Sequence, residues 1–344
     1  MTIQGWGLFL YGLAVGGMAV RAGEPPVLDD QVSFTVSVYA SGLQGPDGLA
    51  LHPQTHELYV SEEEAGRISV IRKGQAEAVI SVGFQVHDDL PADLVDTERP
   101  REYWLRGHLA SPEGITFGPD QNLYVVEDTA RGRILQFDTD AKGRYTTAKV
   151  IPTPRLGEPY AWESLCFSKN GQLYLAGSSY ETSRSWGYSC VLTRDQTQMW
   201  WMVDYGPLAS FSALTLMEDD QILVTGDESV GGLTWWDLER KLEVQTLTHE
   251  LGAIEGICSL PDGSLVVALE TSATGGRIVR INPANGAMQI LAEGLGTLES
   301  IVCDQRSGRL YVAEDSTGRI LCLTPQGELA RDAELFRVAR RSSE

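Results

Sequence analysis

The chain has 344 residues, 42% of them hydrophobic, and its 47 acidic against 27 basic side chains give a formal net charge of −20. Such a field repels nucleic-acid phosphates and anionic bilayer surfaces and draws in cations, which argues against nucleic-acid binding. The length would serve one large core or two ordinary domains, so internal repetition has to decide between them.

At the N-terminus, Trp6 to Val20 form an apolar, glycine-rich stretch, and Val20-Arg21-Ala22 before Gly23 has the small-residue pattern of a signal-peptidase site. No Lys or Arg precedes Trp6, and the run is too short to span a bilayer comfortably. Residues 1–22 are therefore expected to be a signal peptide and 23–344 one domain of a periplasmic or secreted protein, with no membrane insertion after processing.

The next segment, Ser33 to Leu43, matches Met288 to Leu295, as if a last repeat were split between the two ends of the chain. Along the chain one phrase recurs six times: Pro46-Asp47-Gly48-Leu49, Pro112-Glu113-Gly114-Ile115, Trp162-Glu163-Ser164-Leu165, Phe211-Ser212-Ala213-Leu214, Ile254-Glu255-Gly256-Ile257 and Leu298-Glu299-Ser300-Ile301. Successive copies lie 43 to 66 residues apart. Each is followed by a turn such as Leu260-Pro261-Asp262-Gly263 and a β-branched or aromatic run such as Leu310-Tyr311-Val312, which reads as a hairpin. A third strand opens at Gly66-Arg67-Ile68, Gly132-Arg133-Ile134, Gly276-Arg277-Ile278 and Gly318-Arg319-Ile320, and a fourth follows. Four strands per repeat predict propeller blades. The expected fold is all-β: a six-bladed β-propeller of four-stranded blades, its ring closed by the N-terminal strand pairing in the last blade, which removes two sheet edges. The five cysteines, Cys166, Cys190, Cys258, Cys303 and Cys322, form no C-x-x-C pair and read as core fillers.

The first strand of a propeller blade lines the central channel, so equivalent residues in the six phrases form a ring: Asp47, Glu113, Glu163, Ser212, Glu255 and Glu299. Two unit charges about 4 Å apart repel by roughly 4 kcal/mol at an effective dielectric near 20, so converging carboxylates need protons or a cation. A divalent cation suits this oxygen set, with Ca²⁺ first because it accepts about 6 to 8 oxygen ligands flexibly, and Mn²⁺ or Mg²⁺ next. Zinc or copper would call for His or Cys, which the ring lacks. The alternative is that each acid caps backbone N–H groups or pairs with an arginine. That plainer role is expected of a second set after each hairpin: Glu62, Glu127 with Asp128, Asp227 with Glu228, Glu270, and Glu314 with Asp315. Some of these could orient ring ligands.

At these phrases the sequence resembles the six-bladed, calcium-dependent propellers of the senescence-marker-protein and gluconolactonase family, over roughly residues 32 to 330, with paraoxonases and strictosidine synthase as more distant relatives. The resemblance implies metal ligands just before the Gly of P-D-G phrases, hence Asp47 by form and Glu113, Glu163, Glu255 and Glu299 by position. This ring has no Asn, whereas the family mixes Asp, Glu and Asn; the surplus acid supports a metal and weakens the inference to lactone hydrolysis. NHL-type propellers share the Gly-Arg-Ile turns without such a ring.

Around the expected mouth, His108 and His249 lie in linkers shortly before ring acids, where a general base could sit. Residues 83–111 form the longest connection, suited to a lid or binding loop. Trp104, Trp162 and Trp186 are candidate aromatic walls, and Ser212, Trp162, Trp104 and His249 are the candidate substrate contacts. There is no G-x-S-x-G elbow, P-loop or H-E-x-x-H motif. The expected function is a metal-dependent hydrolase of a small lactone or ester, in which Glu163, Glu255 or His108 moves the proton. The alternatives are carbon–carbon coupling in a secreted natural-product pathway, as in strictosidine-synthase-like and scytonemin-pathway propellers, and a non-catalytic binding module with a structural or ligand-bridging cation.

Overall fold

The computed structural model describes residues 28, 32–91, 95, 99–129, 132–152, 160–179, 186–192, 199–207, 210–217, 219–229, 231–240, 242–248, 251–270, 275–327 and 329; for Trp186–Leu192, Met199–Pro207 and Leu242–Thr248 it describes the backbone. Residues 1–22, expected as a signal peptide, and His249 lie outside the described residues, as does the side chain of Trp186.

The chain is an all-β propeller. Its described strands form five four-stranded sheets and one five-stranded sheet, and the strand of each nearest the middle of the molecule is Pro46–Leu51, Pro112–Phe117, Tyr160–Phe167, Phe211–Met217, Ala253–Ser259 or Leu298–Asp304. Each of these inner strands lies beside the next, and Leu298–Asp304 lies beside Pro46–Leu51, so the six surround one channel. The second strand of a blade is covered on both faces by its neighbours. Leu58–Glu62, Leu123–Glu127 and Ile222–Asp227 are accordingly buried throughout, and each opens on three consecutive apolar residues without alternation. Apolar clusters fill the spaces between blades: Trp235 and Val224 pack on Ile254 and Val267, while Tyr174 and Ala176 pack on Leu214 and Trp236. Cys258, Cys303 and Cys322 are buried free thiols, as core fillers should be.

The outermost strand of the last sheet comes from the other end of the chain. Phe34–Ser41 runs antiparallel to Arg319–Pro325, with Phe34 opposite Pro325 and Ser41 opposite Arg319.

Six blades of four strands each were expected, and five sheets have that form. The sheet of residues 112–151 carries a fifth strand, Gln85–Val86, parallel to the outer strand Tyr145–Ile151. The long connection, read from the sequence as a lid or binding loop, therefore starts by lengthening a blade. Phe84, Trp104 and Leu109 then sink into the apolar cluster between the first and second blades. Arg133, fully buried, fastens the connection: it donates to both carboxylate oxygens of Glu127 at 2.8 and 2.7 Å and to the backbone oxygens of Trp104, Arg106 and His108 at 3.0, 2.9 and 2.7 Å. Trp104 is 2% exposed, under the Arg99 guanidinium, and is a core residue rather than a wall of the site.

Candidate functional site

Every inner strand is bulged at the repeated phrase. Pro46 pairs with Glu62 but Leu49 with Val60, and the same one-residue slip occurs at Pro112/Ile115, Trp162/Ser164, Phe211/Ala213, Ile254/Gly256 and Leu298/Ile301. A bulge leaves one residue out of the ladder and re-aims its side chain. The first residue within the slip is the ring member each time, and all six line one cavity of about 640 Å³. Close approach of neighbouring blades depends on the glycines of the phrase. A Cβ on Gly48 would stand 2.2 Å from the backbone oxygen of Glu113, one on Gly114 2.6 Å from that of Glu163, and one on Gly256 2.7 Å from that of Glu299.

The structure splits the second set of acids in two. Glu62, Glu127, Asp227 and Glu314 lie opposite Pro46, Pro112, Phe211 and Leu298 and are buried. They hold linkers: Glu62 takes Arg67, Ser69 and the Gln44 N–H, Glu127 takes Arg133, Arg106 and the Ala110 N–H, and Glu314 takes Arg319, Thr317 and the Gly296 N–H. Asp227 accepts from the Ser229 N–H at 2.8 Å. Burial pushes Glu62 and Glu314 up, but these donors outweigh it and hold both below the usual range. The plain capping role expected from the sequence fits these four.

One residue further on, Glu63, Asp128, Ser178, Glu228, Glu270 and Asp315 occupy the corresponding place in the six described sheets. Asp128, Ser178 and Glu228 line the cavity, and all five acids act electrostatically on the ring acids. The channel thus carries two tiers of six positions, each interrupted by one serine, in the third and fourth blades. Sequence reasoning grouped the members of each acid pair; the alternation of a strand, which sends successive side chains opposite ways, is the signal that separates them.

No family model matches the sequence, and no curated protein matches it. Among solved structures, the chain is similar to a gluconolactonase from Xanthomonas campestris, with 16% identity and a TM-score of 0.62 over 90% of this chain and 99% of that one. It is also similar to the PQQ-bound form of an aldose sugar dehydrogenase from Streptomyces coelicolor (17% identity, TM-score 0.58, 88% of this chain and 100% of that one). A luciferin-regenerating enzyme aligns with 13% identity and a TM-score of 0.59, over 85% of this chain and 95% of that one. The fold is that of the gluconolactonase propellers. At such identities the likeness is one of fold, and the chemistry has to come from this chain's own residues.

Those residues make an unbalanced site. The described lining contains no Lys, Arg or His. Burial, and then Glu63 and Glu255, push Asp47 well above the usual carboxylate range; burial, Asp47 and Asp128 do the same to Glu113. Burial with Glu228 and Glu299 raises Glu255 to about 9, and burial with Asp47 and Asp315 raises Glu299 to about 9. None of these four accepts a hydrogen bond among the described residues. Glu163 is also raised, by burial and Glu228, but the Ser178 hydroxyl donates to it at 2.7 Å. Ser111 and Ser210 play the same part for Glu63 and Glu228. As they stand, no three His, Cys, Asp or Glu side chains among the described residues are arranged to hold a metal ion.

The remaining candidates fall outside this cavity or play another part in it. His108 is exposed and absent from the lining; its described bond is made by its backbone oxygen, to Arg133. Trp162 is fully buried between the second and third blades, because its place in the phrase, one before the ring acid, points into the interblade core. Ser212 does line the cavity, but its hydroxyl donates to the backbone oxygen of Ile254, tying the fourth blade to the fifth.

Proposed function

We propose that this chain is a divalent-cation-dependent hydrolase of a small lactone or ester, built as a six-bladed propeller in which the five-stranded sheet counts as a blade and the N-terminal strand closes the ring. The observation that carries the reading is the arc of Asp47, Glu113, Glu255 and Glu299, four half-buried carboxyls without a described donor, in a channel without a described basic residue. Leaving such groups ionised and unpaired is costly, and a hard cation would compensate them. The donor set is all carboxylate oxygen, which favours Ca²⁺ over Mn²⁺ or Mg²⁺ and all three over zinc or copper. Its ligands would be drawn from the ring acids Asp47, Glu113, Glu255 and Glu299, whose carboxyl arms must move inward to reach it. When bound, it would supply a Lewis acid for a substrate carbonyl. The chain's own part is to hold the substrate in the cavity beside the ring and to move a proton with a ring carboxylate, Glu163 or Glu255.

Fold neighbours named as a gluconolactonase and an aldose sugar dehydrogenase support a small lactone or sugar-like ligand, and about 640 Å³ suits one. The apolar stretch Trp6 to Val20, followed by the small-residue pattern at Val20-Arg21-Ala22, supports export.

The test is calorimetric titration of chelator-stripped protein with Ca²⁺, followed by a lactone and ester screen with and without EDTA. We expect binding that weakens about tenfold or more in Glu255→Gln, and turnover that EDTA abolishes and Ca²⁺ restores. Absence of binding by millimolar Ca²⁺, Mn²⁺ or Mg²⁺, or turnover indifferent to EDTA, would overturn the reading.

A further inference from the structure

We infer, resting on the hydrolase reading above, that the ring divides its labour: Glu163 moves the proton of the reaction while the cation is held by the acids of the other blades, with Ser178 and Gly177 as positioning residues. The third blade is built differently at the places that surround this one acid. Where the first, second, fourth and sixth blades have a buried acid opposite the bulge, the third has Gly177, paired in register with Trp162. A Cβ there would stand 2.0 Å from the backbone oxygen of Ala161 and 3.1 Å from the Cα of Trp162, so the second strand comes against the backbone that carries Glu163. At the next position, where the other blades present a carboxylate to the mouth, Ser178 donates its hydroxyl hydrogen to Oε1 of Glu163 at 2.7 Å. Beyond, the following ring position is Ser212, whose hydroxyl is committed to Ile254. Glu163 therefore has an oriented neutral donor on one oxygen, no described partner on the other, and an uncharged ring neighbour in the fourth blade.

Asp47, Glu113, Glu255 and Glu299 have no such donor among the described residues, although Glu255 shares the uncharged neighbour Ser212. They form a continuous arc through the fifth, sixth, first and second blades, and their described neighbours act on them by repulsion and burial. Lone pairs without donors suit a cation. A carboxylate fixed by one donor, with its second oxygen open to the cavity, suits proton transfer, which demands a held geometry within hydrogen-bond reach of the substrate.

In the step assigned to it, Glu163 accepts a proton from a water molecule as the water oxygen bonds to the acyl carbon. The acyl–oxygen bond to the leaving group then breaks, and the proton passes from Glu163 to the departing alkoxide oxygen, giving a hydroxy acid from a lactone or an acid and an alcohol from an ester. Water is the only co-reactant.

The experiment is Ca²⁺ titration by calorimetry of the wild type, Glu163→Gln, Glu255→Gln and Glu299→Gln, with thermal melts to verify folding, alongside kinetics on whichever lactone or ester the screen identifies. We expect Glu255→Gln and Glu299→Gln to weaken Ca²⁺ binding about tenfold or more, and Glu163→Gln to leave it within about threefold while lowering kcat about 100-fold or more at little-changed KM. Ser178→Ala should lower kcat about tenfold with KM unmoved, and Ser178→Thr should restore most of it. Loss of Ca²⁺ affinity in Glu163→Gln equal to that in Glu255→Gln overturns the division of labour and leaves the hydrolase reading standing. A wild type that binds no Ca²⁺ overturns both.

Discussion

Raising the pH should weaken the metal-free protein, and the ring acids set the size of the effect. Glu255 and Glu299, pushed up to about 9 first by burial and then by neighbouring carboxylates, keep their protons in the folded state across the neutral range, whereas in the unfolded chain each lets go near 4.5. A folded-state value above the unfolded one means that the folded protein binds the proton more tightly. The contribution to stability is then complete below pH 4.5, falls steadily between 4.5 and 9, and is level above. Each pH unit in that window costs about 1.4 kcal/mol per group, so the move from pH 5 to pH 7 removes up to about 3 kcal/mol for each of the two acids, a ceiling that water entering the channel lowers. Acids with depressed values, such as Glu62 and Glu314, change stability below 4.5 and leave the window clear. Guanidinium denaturation at a series of pH values in EDTA reads the slope directly. Repeating it in Ca²⁺ at about 100 times its Kd should restore about 2.7 kcal/mol at pH 7, and more as the acids ionise. Stability in EDTA that is level or rising between pH 5 and 8 would refute the picture of uncompensated carboxyls meeting in one channel.

Arg133→Met should cost about 3–5 kcal/mol in chemical denaturation, because it removes the fully buried partner of Glu127 together with the donors to Trp104, Arg106 and His108. A loss below about 1 kcal/mol would mean that Arg106, 2.7 Å from Glu127, suffices alone. Gly114→Ala should destabilise by about 1–3 kcal/mol, since its Cβ would meet the backbone of Glu163 and Ser164 at 2.6 and 2.9 Å. An unshifted melting temperature would show that the third blade can give way.

Several features of the site were legible before any coordinates. The recurring phrase with its turn marks a strand and a hairpin, and recurrence along the chain implies equivalent positions, so the ring of Asp47, Glu113, Glu163, Ser212, Glu255 and Glu299 followed from counting. Other features were not. Trp162 and His108 stand beside ring acids in sequence, yet one is in the interblade core and the other faces solvent, because neighbours along a strand point opposite ways and a linker's direction depends on what it packs against. Trp104 looked like a free aromatic in a long loop; Arg133, 29 residues away, is what draws that loop onto the core.

The sequence by itself determined the repeat, the strand order within each repeat and the carboxylates that recur in it, since hydrophobic period and turn chemistry act over a few residues and are written locally. Only the tertiary structure decided which acid of each pair faces the channel, that Gln85–Val86 adds a fifth strand to one sheet, and that Glu163 gains a donor in Ser178 while the other ring acids have none among the described residues. Those outcomes depend on bulges, on backbone approach at glycines and on contacts between residues distant along the chain. Such contacts are set by how the blades pack together, and no single segment encodes them.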